Sequence, residues 1–138
     1  FTQSVRGMPA ETGGTYDLDE VWKTLSTEST VYDGLWKLVA REAAESKRVN
    51  FSEMKLIGGG HFSFFQRFDD GEESVQNFGF GSLQIDKSGR VTEKGMASTF
   101  EGYSGQELRV NMQLIDADHM TQTFMMDGVD VVQSYVRI

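Results

Sequence analysis

From residue 34 to residue 138, apolar and polar positions alternate with a period of two in eight short runs, each ended by a turn signal. The pattern predicts strands over 34–42, 53–57, 61–68, 75–86, 90–95, 106–115, 119–126 and 131–138. The punctuation is equally regular: Gly58-Gly59-Gly60, Asp69-Asp70-Gly71, Asp86-Lys87-Ser88-Gly89, Asp116-Ala117-Asp118 and Asp127-Gly128. In the run 106–115, Leu108, Val110, Met112 and Leu114 share one face opposite Arg109, Asn111 and Gln113, the pattern of a half-buried strand. Residues 43–52 are polar and read as a loop, and 96–105 as a short strand and a turn ending at Ser104-Gly105. Gly79 and Gly81 interrupt the longest run and suggest a bend, as barrel corners require.

Strands joined by turns this short are antiparallel neighbours. Eight of them with no helix between predict an all-β, eight-stranded antiparallel up-and-down barrel over residues 34–138, with an open sandwich as the alternative. Ahead of it, residues 1–16 carry Gly7, Pro9, Gly13 and Gly14 without periodicity and read as a mobile lead-in. A short helix is expected next. Asp17 and Glu20 form a capping-box-like pair, Leu18, Val21, Trp22 and Leu25 fall on one face, and Thr24, Thr27 and Thr30 end the helix near Ser26. The first 33 residues thus read as lead-in and helix, which either plugs a barrel mouth or packs on a neighbouring chain.

Composition narrows the functional classes. One domain of 138 residues with 38% hydrophobic positions has enough apolar surface for a core. Thirteen basic against 21 acidic residues give a net charge of −8, which argues against nucleic acid and against an anionic membrane surface as partners. The absence of cysteine removes disulfides and thiolate chemistry. No apolar run approaches the roughly 18 residues of a membrane span, so no membrane insertion is expected. The chain opens on Phe1 rather than Met, which reads as a processed product with any signal peptide outside it.

Gly34-Leu35-Trp36 at the head of the first strand resembles the Gly-x-Trp signature of lipocalins, and Arg137 stands where lipocalins carry an arginine that packs over that tryptophan. The wider pattern is similar to the small secreted lipocalin-like proteins of unknown function of gut-type bacteria. It covers residues 34–138 through Gly34-Leu35-Trp36-Lys37-Leu38-Val39, the run from Lys55 to Phe62 and the run from Gln133 to Ile138. The resemblance implies a calycin barrel closed by Trp36 and Arg137, and a secreted or periplasmic location.

Barrels of eight strands are either filled by side chains or hold one small ligand. Phe62, Phe64 and Phe68 share a face with Gln66; Phe78 with Phe80, and Phe124 with Met120 and Met126, make further apolar groups. The residues expected to line a ligand site are Phe62, Phe64, Phe78, Phe80, Met112, Leu114, Gln122, Phe124 and Tyr135. Seven methionines suit an adaptable apolar pocket, and Gln66, Gln122 and Gln133 suit a guest's polar end. Tyr135 and Arg137 share a face of the last strand, placed either to hold a carboxylate, as a similar pair does in intracellular lipid-binding barrels, or to close the floor over Trp36.

No catalytic residues, cofactors or metal ligands are expected. His61 and His119 sit beside turns with no carboxylate constellation, and there is no Gly-x-Ser-x-Gly motif. Asp69-Asp70-Gly71-Glu72-Glu73 lacks the ligand spacing of a calcium loop, and the glycines at 58–60 lack the lysine of a phosphate loop. The expected function is non-enzymatic binding of a small apolar or amphipathic molecule, with a solid-core module that binds a protein partner as the alternative.

Overall fold

The computed structural model describes residues 1–24, 26, 28–43 and 50–138, with Ala43 described by its backbone alone. It contains ten strands: β1 (Thr2–Pro9), β2 (Thr15–Val21), β3 (Gly34–Ala43), β4 (Asn50–Gly58), β5 (His61–Asp69), β6 (Ser74–Ile85), β7 (Val91–Ser98), β8 (Glu107–Leu114), β9 (His119–Met126) and β10 (Val129–Arg137). Strands β3 to β10 form a closed barrel in sequence order, and β10 returns to pair antiparallel with β3. That pairing of last strand with first rules out the open sandwich.

The amino-terminal segment differs from its expectation. No helix occurs among the described residues; Asp17 to Val21 belong to β2, which pairs antiparallel with β1, and residues 2–9 are strand rather than lead-in. Leu25 and Thr27, which the helix pattern used, lie outside the described residues, as do residues 44–49 of the expected 43–52 loop. Cross-strand chemistry explains the preference for a hairpin. Asp19 accepts hydrogen bonds from Ser4 Oγ (2.6 Å) and Arg6 Nη1 (3.2 Å), and Asp17 accepts one from the Gly7 amide (3.0 Å). Those carboxylates are used across the hairpin rather than at a helix cap. Phe1 and Trp22 stack at its open end, with ring centroids 6.1 Å apart.

Strand starts and ends sort the barrel into two ends. The turns before β3, β5, β7 and β9 share one end with the finish of β10, and the turns before β4, β6, β8 and β10 share the other. The first end is closed. Trp36 is fully buried there, its indole N–H donates to Tyr32 O (2.8 Å), and Tyr32 Oη donates to Met112 O (3.0 Å). Arg137 donates through Nε to Ala117 O (2.8 Å) and through Nη1 to Asp33 O. Residues 31–33 are thereby strapped across this end, the place where a helical plug was an option in the sequence. Behind them Ile57, Phe62, Leu83, Val91, Met112 and Met120 fill the interior as an apolar core.

Candidate binding cavity

The inward positions of β4 read, from the end of the β3–β4 connection to the closed one, Phe51, Glu53, Lys55 and Ile57. Apolar wall, polar groups, then core: this coarser order recurs on β5 and β9 and divides the interior into layers. On β5 the inward residues are Phe68, Gln66, Phe64 and Phe62; on β9 they are Phe124, Gln122 and Met120. The outcome is a polar layer midway along the barrel, with the apolar core below it and a cavity above it.

The cavity has a volume of about 300 Å³. Its walls are chiefly aromatic: Phe51, Phe64, Phe68, Phe100, Tyr103 and Phe124. Its floor and one side are polar, formed by Glu53, Lys55, Glu93, Gln122 and Gln133, with Gln66 and Arg41 beside them. Burying such groups is tolerable only when they are paired. Lys55 Nζ lies 2.5 Å from Glu93 Oε1 and donates to Gln122 Oε1 at 2.9 Å. It also stands 5.2 Å from the centroid of the Phe62 ring below. Glu53 accepts from Tyr135 Oη at 2.7 Å on one oxygen and from Gln66 Nε2 at 2.7 Å on the other. The Gln133 side chain sits 3.1 Å from the same tyrosine oxygen.

These carboxylates act on the two phenols near them. Burial first, then Glu93 and Glu53, pushes the Tyr103 hydroxyl well above the usual tyrosine range. Tyr135 moves the same way through burial and the Glu53 carboxylate it donates to, with Arg41 pulling weakly in the opposite direction. Both phenols therefore stay neutral donors at ordinary pH.

Arg41 owes its place to a break in register. Tyr135 pairs with Leu38 and Ser134 with Ala40, so β3 carries an extra residue between them. Trp36 and Leu38 face inward, Val39 and Ala40 are both exposed, and after this bulge Arg41 faces inward instead of Ala40. Its guanidinium carbon lies 5.0 Å from the centroid of the Phe51 ring.

The sequence-predicted residues separate into three groups. Phe64, Gln122 and Phe124 line the cavity. Phe62, Met112 and Tyr135 are buried beneath it, and the half-buried Leu114 packs on the same core. Phe78 and Phe80 are 51% and 37% exposed on the outer face of β6, apart from the interior. The reason lies across the ladder: Gly79 pairs with Phe64 and Gly81 with Phe62. A Cβ at Gly79 would stand 2.6 Å from Phe64 Cζ, so the inward parity of β6 belongs to glycines that make room for two rings. At the closed end Trp36 and Arg137 meet, the guanidinium carbon 4.3 Å from the indole centroid.

Arg41, Glu53, Lys55, Glu93 and Tyr103 escaped the sequence reading as site residues. For Glu53 and Lys55 the signal was available in their parity with Ile57, and for Glu93 in its parity with Val91. For Arg41 it was not, because the bulge inverts its parity. The histidines lie away from the cavity, at closed-end turns: His61 Nδ1 is 2.8 Å from Gly59 O, and the exposed His119 Nδ1 is 2.8 Å from Asp116. Among the described residues no group of three or more His, Asp or Glu side chains is placed to hold a metal ion.

A groove lies on the outer wall beside the cavity. β8 and β9 pair only over Asn111–Leu114 against Met120–Thr123. Beyond Thr123 the ladder stops, and Phe124 lines both the inner cavity and an outer groove of about 530 Å³. Compared with models of known protein families and with curated proteins, the sequence matches none of them.

Proposed function

We propose that this protein is a lipocalin-like carrier that binds one small apolar or amphipathic molecule inside its barrel and does no chemistry on it. The cavity of about 300 Å³ carries the reading: aromatic walls above a paired polar floor suit a guest with an apolar body and a polar end. The lipocalin-like assignment is supported by the closed eight-stranded antiparallel barrel and by the meeting of Trp36 with Arg137 at its seam. A secreted or periplasmic location follows from that assignment. The test is extraction of the purified protein with organic solvent and mass spectrometry of the extract, beside fluorescence titration with an apolar dye. A co-purified small molecule or saturable dye binding is expected; absence of both sinks the carrier.

One observation favours a second reading, an interaction module for a protein partner. β1 and β2 pair with each other and with no barrel strand, and a lone two-stranded hairpin is marginal in water. A partner surface would stabilise it. Deleting residues 1–22 separates the two readings: a carrier keeps its dye binding, whereas an interaction module loses its partner.

A further inference from the structure

We infer that the cavity takes a small carboxylic acid, its compact apolar body between the aromatic walls and its carboxylate on the guanidinium of Arg41. The inference deepens the carrier reading and rests on it.

Hydrogen-bond accounting around the cavity isolates Arg41. Both oxygens of Glu53 hold donors, from Tyr135 and Gln66. Glu93 holds Lys55, and Lys55 also donates to Gln122. Arg41 breaks the pattern. Its Nε is buried without a hydrogen-bond partner among the described residues, and none of the ion pairs among them includes its guanidinium. The Phe51 ring lies 5.0 Å from the guanidinium carbon, a stacking contact that uses none of its N–H groups. Buried donors are nearly always satisfied, and a bulge in β3 is what places this one at the cavity.

Arginine is a donor and never an acceptor, so the group that completes it must accept. Two coplanar oxygens match the guanidinium fork, which makes a carboxylate the best complement. An ammonium guest is the poorer fit, because both oxygens of Glu53 and one of Glu93 are already engaged by Tyr135, Gln66 and Lys55. Glu53 and Glu93 would repel an anion bound at the floor, which confines the carboxylate to the Arg41 side. A volume of about 300 Å³ is at the lower end of ligand pockets, so the body is compact.

The test is isothermal titration with 2-naphthoate and 2-naphthamide, which share a ring system and differ in charge. Wild type should bind the acid about tenfold to a hundredfold more tightly than the amide, the scale of a charge-assisted hydrogen bond. Arg41→Met should lose that preference, and Arg41→Lys, which retains charge without the fork, should keep part of it. Should Arg41→Met fail to fold by circular dichroism, the acid-to-amide ratio in Arg41→Lys decides, with an unchanged ratio counting against the anchor. Equal binding of acid and amide by wild type, or an acid preference that survives in Arg41→Met, overturns the anchor and leaves the carrier standing. If neither compound binds and an apolar dye does not bind either, both readings fall.

Discussion

Arg137 lies over the face of Trp36 at 4.3 Å and so close to Gly34 that a Cβ there would stand 2.6 Å from its Nη1. One arginine from the last strand thus explains both fixed positions of the Gly-x-Trp start, the ring as its platform and the glycine as its clearance. The same guanidinium donates to the carbonyls of Ala117 and Asp33, tying the β8–β9 turn and the strap to the seam. Arg137→Ala should therefore cost about 2–3 kcal/mol, from a lost cation–π contact and two lost hydrogen bonds to backbone. Trp36→Ala should cost about 3–5 kcal/mol as a core truncation. Urea denaturation measures both. A loss within about 0.5 kcal/mol, the size of an indifferent surface change, would show that these residues do not hold the barrel closed.

Gly79 and Phe64 make a second fitted pair. Alanine at 79 places a methyl 2.6 Å from Phe64 Cζ and 2.7 Å from Cε1. At 81 the obstacle includes the backbone of Lys94, which cannot swing aside as a ring can. Gly79→Ala should cost about 1–3 kcal/mol by overpacking, and Gly81→Ala more. Pairing Gly79→Ala with Phe64→Leu should recover part of the loss in thermal denaturation, because the smaller side chain returns the space. Additive losses would mean that the ring and the glycine do not compete.

The barrel was legible because its turns are short and its alternation is regular, as in Leu108, Val110, Met112 and Leu114, all of which face inward. The hairpin was not, because Leu18, Val21 and Trp22 fit a helical stripe while the cross-strand partners Ser4 and Arg6 lie in a stretch without periodicity. Parity alone also misassigned Phe78 and Phe80. Which face of a strand is inner is decided by what stands opposite, and here two large rings claimed the space first. Arg41 was hidden by a single inserted residue, a backbone event that no side-chain pattern announces.

Lys55 and Glu93 form a buried pair with side chains 3% and 6% exposed. Removing one partner leaves the other charged and dry, so Lys55→Met or Glu93→Leu alone should cost about 3–5 kcal/mol. The double variant should lie within about 1–2 kcal/mol of wild type, since two apolar groups need no partners. A chemical-denaturation double-mutant cycle reads the coupling. If the single losses simply add, the two charges are not each other's compensation.

Phe124 stands where the β8–β9 ladder ends and touches both the cavity and the outer groove. If the guest enters at that gap, Phe124→Ala should raise both association and dissociation rates of a bound dye several-fold. Stopped-flow fluorescence measures them. Truncation also removes wall area, so affinity should fall by about 1–2 kcal/mol on an area basis. A change confined to dissociation would mean that Phe124 is wall alone and that exchange does not run through this gap.

Alkaline pH should act on the polar layer through its two phenols. Tyr103 and Tyr135 are held above the ordinary tyrosine range when folded, chiefly by burial, while in the unfolded chain they titrate near pH ~10. The folded state thus retains protons that the unfolded state releases. Their contribution is full below pH ~10 and is lost as pH rises beyond it toward the folded values. Stability should therefore decline steeply above pH ~10, and the tyrosinate absorbance of these two residues should appear together with unfolding rather than before it. Tyr135→Phe removes one such proton and should flatten the alkaline decline, while at neutral pH it costs about 1–3 kcal/mol because Glu53 loses a donor. A decline of unchanged steepness in Tyr135→Phe would show that the hydroxyl on Glu53 is not what alkali attacks.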